Sequence, residues 1–132
     1  MVLLILLVLA LFVLQTLLPN RFRDRPAAGG GSMLATALGP RDDQPPLTRI
    51  GGRAERALAN MHEALPVFLT LALLNLILGT GDMATTGATV FLVARVLYVP
   101  AYLAGIVGVR TLIWIASVVG LVMMLIPILA RT

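Results

Sequence analysis

The chain has no cysteine and no lysine, one histidine, one tryptophan, two tyrosines and six acidic residues in a length of 132. Without cysteine there are no disulfide staples, no thiolate zinc sites and no cysteine nucleophile, and the sequence names no redox compartment. Any thiol used here must arrive on another molecule. The single histidine, His62, has no second imidazole with which to share a metal, so it reads as an interfacial residue and no metal site is expected. Charged residues make up only 12% of the chain against 59% hydrophobic, with a mean hydropathy of +0.98, which excludes a soluble globular domain of this length. Ten basic residues, all arginine, leave a net charge of +4. Most of them lie in one connection between apolar runs, and no aromatic-interleaved basic patch, glycine-rich phosphate loop or internal repeat accompanies them. The charge therefore reads as membrane topology, with no nucleic-acid partner.

Four apolar segments, roughly 2–18, 57–78, 84–107 and 110–129, each approach the length of about 20 residues that a helix needs to cross a bilayer. The expected fold is an all-α integral membrane bundle of four spans in one domain. The first segment lacks a basic n-region and a small-x-small cleavage site, so it reads as an anchor, with a signal peptide as the alternative. Residues 19–52 then carry five prolines and six glycines, which forbid one continuous helix; a short helical turn is expected from Ser32 to Leu38, capped by Ser32 and ended by Gly39 and Pro40. This connection holds Arg21, Arg23, Arg25, Arg41 and Arg49, whereas the turn "GTGDMATTG" has no arginine. By the positive-inside rule the long connection faces the cytoplasm, both termini face the other side, and Arg131 is the one contrary charge. The expected location is a membrane of bacterial inner-membrane type.

Within "RAERALANMHEALP", at 100° per residue, Arg53, Arg56, Asn60 and Glu63 fall within an arc of about 80°, while Glu55 and His62 point elsewhere. Asn60 and Glu63 sit inside the apolar run, where an ionisable side chain costs about 2.5 kcal/mol or more unless paired or hydrated. In "ARVLYVPAYLAG", Arg95, Tyr98 and Tyr102 share a helical face, with Pro100 expected to kink the helix between the tyrosines. An arginine this deep needs a counter-charge, and Glu63 on the preceding helix is the best candidate in the sequence. The fourth span is read as beginning at Arg110, with Trp114 one turn later, and small residues such as Gly105 and Gly108 permit close helix contacts. The plain alternative for the polar stripes is interhelical glue. Several guanidiniums, a carboxylate, an amide and two phenols at one leaflet also suit a small zwitterionic or anionic ligand with more than one carboxylate, next to lipid that would supply an apolar co-substrate.

"RALANMHEALPVF", Arg56 to Phe68, resembles the second-helix signature R-A-x-x-N-x-x-E-x-x-P of the MAPEG family, the membrane-associated proteins in eicosanoid and glutathione metabolism. "ARVLYVPAYLAG", Ala94 to Gly105, looks like that family's third-helix signature, and the bacterial branch is the most similar. The resemblance implies a homotrimer of four-helix bundles with glutathione as co-substrate, bound near the cytosolic side between subunits. Carried over by residue, it implies glutathione contacts from Arg56, Asn60, Glu63, Arg95, Tyr98 and Tyr102, and a thiolate-stabilising role for Arg110. Ala59 stands where some catalytic members carry a further arginine, and Trp114 where the resemblance implies a tyrosine after the last arginine. The implied activity is a glutathione-dependent membrane transferase or peroxidase acting on an apolar electrophile. A non-catalytic lipid-binding member, and a small transporter using Glu63 as its coupling carboxylate, are the alternatives.

Overall fold

Four long helices follow one another in the computed structural model, which describes residues 1–24 and 45–131. They are α1 (Val2–Arg21), α2 (Arg49–Leu78), α3 (Asp82–Ala104) and α4 (Val107–Leu129), each long and apolar enough to cross a membrane. The expected turn at Ser32 to Leu38 lies outside the described residues. α3 starts two residues earlier and ends three residues earlier than the 84–107 read in the sequence, and three other boundaries also differ. α1 continues past Pro19, because a proline in the last turn removes only the donor to Gln15 while its own carbonyl still accepts from the Phe22 N–H at 3.1 Å. α2 starts at Arg49, so Gly51 and Gly52 are helical and the charged entrance is part of the helix. Thr48 makes this start possible: its hydroxyl accepts from the Gly51 N–H at 3.1 Å and donates to the Phe22 carbonyl at 2.7 Å. α4 begins at Val107, which places Arg110 inside its first turn.

At 30 residues α2 is about 45 Å long, half as long again as the roughly 30 Å hydrocarbon layer, so its charged first turns stand clear of the apolar region. There the two sides of the long connection are tied together. Arg23 and Leu47 form an antiparallel bridge, the Asp24 N–H donates to Pro46 and the Thr48 N–H donates to Phe22, both at 3.0 Å.

The core runs through the middle of the bundle as Val8, Met61, Phe68, Ala72, Ala88, Phe91 and Met124, with Phe68 and Phe91 stacked at 4.6 Å between α2 and α3. α3 and α4 form the closest pair, and the reason is a glycine on each. A Cβ on Gly87 would lie 2.6 Å from the Gly120 carbonyl oxygen, and one on Gly120 would lie 2.7 Å from that of Gly87. The two backbones are in contact, as small residues allow between helices in lipid. The close approach is thus at Gly87 and Gly120; Gly108 has nothing within 4 Å of its Cβ position, and Gly105 serves a turn instead. Asn75 adds the polar link between α2 and α4, donating to the carbonyls of Leu71 and Met124 at 2.8 Å each and accepting from Thr80.

Candidate functional site

Arg95 is the largest fully buried side chain, 2% exposed on the α2-facing side of α3. Its Nη1 donates to Asn60 Oδ1 on α2 at 2.5 Å, while its Nε is buried with no hydrogen-bond partner among the described residues. The guanidinium is flanked along its own helix by two rings, 5.1 Å from the centre of Phe91 and 5.6 Å from that of Tyr98. Spacing of −4 and +3 makes this sandwich possible, and the aromatic faces offset part of the cost of a buried cation. Tyr98, 7% exposed, packs on Tyr102 at 5.3 Å, and the Arg110 guanidinium of α4 lies 5.0 Å from the Tyr102 ring centre.

A continuous row therefore joins three helices: Asn60, Arg95, Tyr98, Tyr102, Arg110. Five of the seven residues that the resemblance implied for the site belong to it. Arg56 and Glu63 do not; both are exposed, and the Arg56 guanidinium folds back along α2 toward Gly52. The expected Glu63 counter-charge acts on Arg95 only from a distance, and the direct hydrogen-bond partner of the guanidinium is the Asn60 amide. The physical reason lies in the 80° stripe on α2. Its Arg53 and Asn60 edge turns to α3, whereas its Arg56 and Glu63 edge passes out of the contact.

Arg53 closes the end of the row. Its Nη1 donates to the Leu103 carbonyl at 2.8 Å, one of the carbonyls a helix end leaves without a partner, and the group lies flat against Gly105. Gly105 is required twice: its φ is +78°, and a Cβ there would be 2.5 Å from the Arg53 guanidinium carbon. Sequence reading placed Arg53 in the ligand stripe; the structure gives it the end of α3. Phe91 was missed, although a ring four residues before a buried arginine is a readable signal. His62 is exposed, its Nδ1 3.1 Å from the Leu58 carbonyl and its ring edge-on to Phe12. Among the described residues no three histidine, aspartate or glutamate side chains gather at one point.

The row lies near the end of the bundle that carries the long connection. Arg95 is about 20 Å along α3 from its start, and Asn60 is about 27 Å along α2 from its far end. A buried guanidinium between aromatic rings, in a bundle of four helices each long and apolar enough to cross a membrane, defines an integral membrane protein with a polar row inside it. The chain matches the model of the MAPEG family over residues 1–130, and it belongs to that family. No individually curated protein and no solved structure matches it. Membership makes it a membrane protein of the glutathione and eicosanoid class in general, with lipid as its surroundings.

Proposed function

We propose that the protein is a glutathione-dependent membrane transferase or peroxidase acting on an apolar electrophile. The observation that carries this reading is the row from Asn60 to Arg110, buried at Arg95 and Tyr98 and partly exposed at Tyr102 and Arg110, in a chain of this family. The Arg95 Nε fits a tripeptide that carries carboxylates, since it is a charged donor with no acceptor among the described residues. Bound glutathione supplies the thiol that the chain lacks.

Arg95 holds a carboxylate, with Asn60 fixing the guanidinium so that its remaining donors keep one direction. Arg56 and Glu63, exposed on α2, are suited to a second carboxylate and to the ammonium, or to contacts with a neighbouring protomer in a homotrimer. Arg110 favours the thiolate: an ordinary thiol has a pKa of about 8.5, and a guanidinium in a poorly hydrated site stabilises its anion. Its position supports a task other than helix stability, because a cation in the first turn of α4 meets the positive end of the helix dipole. Tyr102, against Arg110, keeps that guanidinium over the mouth of the row. The electrophile, a reactive or peroxidised lipid, reaches this mouth laterally from the bilayer.

Calorimetry on the detergent-purified protein tests the reading. Saturable glutathione binding is expected, weakened at least about tenfold in Arg95→Ala and in Glu63→Gln, as loss of one charged hydrogen bond requires. Thiol turnover in Arg110→Ala should fall sharply while binding persists; unchanged turnover would sink the role of Arg110. A well-folded wild type that binds lipid but no thiol would establish the lipid-binding reading, with which Ala59 and Trp114 agree.

A further inference from the structure

One buried polar group outside the row has no hydrogen-bond partner among the described residues. It is the amide oxygen of Gln15, a residue in the last third of α1 that is 4% exposed. An unpaired amide inside a membrane span is strongly unfavourable. Pro19, four residues on, has no N–H to give to the Gln15 main-chain carbonyl. Two acceptors of one residue thus lack their ordinary donors.

Gln15 lines a groove of 520 Å³ between α1 and α3, walled by Leu11, Leu14, Leu18, Val96 and Val99. Arg21, exposed, stands at its end nearest the long connection, about 9 Å along α1 from Gln15. On α3 the groove face is about 120° round the helix from the face of Arg95, Tyr98 and Tyr102, so it is a separate site. The volume lies within the range of roughly 300–1,000 Å³ typical of small-ligand pockets.

We propose that this groove binds a single-chain anionic lipid, a lysophospholipid of the surrounding leaflet. Its phosphate meets the Arg21 guanidinium, its one acyl chain follows the leucine and valine walls, and its free glycerol hydroxyl, close to the phosphate, meets the Gln15 amide. A hydroxyl both donates and accepts, so it satisfies the amide whichever end a half-turn of the terminal bond presents. An ester carbonyl, as in a two-chain lipid, accepts only and leaves the amide oxygen unpaired.

Native mass spectrometry of the intact protein with three probes tests this: lysophosphatidic acid, its analogue with the hydroxyl methylated, and a two-chain phosphatidic acid. The wild type should hold the free-hydroxyl lipid about tenfold more tightly than the methylated one, the worth of one hydrogen bond to a buried amide. Gln15→Leu should erase that preference while unfolding at no lower a temperature, and Arg21→Gln should weaken both single-chain lipids alike. Equal retention of the methylated lipid, or tighter retention of the two-chain lipid, overturns the proposal. So does cross-linking of a Leu14→Cys chain to a second copy, undiminished by lysophosphatidic acid, which would put another protomer in the groove.

Discussion

Asn60 and Arg95 show how a charge is kept inside an apolar bundle without a carboxylate hydrogen-bonded to it among the described residues. The amide oxygen takes one Nη1 hydrogen at 2.5 Å, and the Phe91 and Tyr98 rings cover the faces of the cation. Removing a partner from a buried charged group costs about 1–3 kcal/mol or more. Asn60→Leu should therefore lower the unfolding temperature by several degrees in detergent, whereas Asn60→Asp, which keeps an acceptor, should restore most of it. Equal loss in both variants would remove the hydrogen bond to Arg95 as the reason for Asn60, because aspartate has the size of asparagine and keeps the acceptor. The stripe containing Asn60 was legible because polar residues at helical spacing stand out against an apolar run. Its division was not. Whether Asn60 or Glu63 meets Arg95 depends on how far α2 is rotated about its own axis, a quantity that spacing along one helix does not contain.

Helix ends and crossings are where the elements lock. Arg53 holds the last turn of α3, and Arg131 holds that of α2 by donating to the carbonyls of Leu78 and Gly79 at 2.9 and 3.2 Å. This accounts for the one arginine that ran against the charge distribution: it satisfies orphan carbonyls and the negative end of a helix dipole. Arg131→Gln should cost only a few tenths of a kcal/mol, since the group is exposed. The crossing of α3 and α4 is far less forgiving. Gly87→Ala puts a methyl 2.6 Å from a main-chain oxygen that cannot step aside, and overpacking of this kind costs about 1–3 kcal/mol. Gly108→Ala, with open space around it, should change stability by less than about 0.5 kcal/mol. Thermal unfolding of the two variants side by side measures the difference, and matching values would remove the backbone contact as the cause of the tight α3 and α4 pairing.

At the scale of the whole molecule, four spans could be read from the sequence because apolar runs of this length have few other fates. The first turns of α2 could not, since two glycines and an arginine cluster look like a loop until Thr48 is seen bonded to Phe22. What the isolated bundle leaves outside is also informative. Glu63 lies about 22 Å along α2 from its far end, which places it within the hydrocarbon layer near one face, and it is exposed together with Arg56. A carboxylate facing lipid there costs about 2.5 kcal/mol or more, a cost avoided if another protomer covers this edge of α2. The protein purified in mild detergent should accordingly have the mass of a homotrimer by light scattering. Single cysteines, which the natural chain allows because it has none of its own, should cross-link between protomers from position 63 and not from Ile77. A stable monomer that keeps glutathione binding would place Glu63 against head groups and water, and the whole site would then belong to one chain.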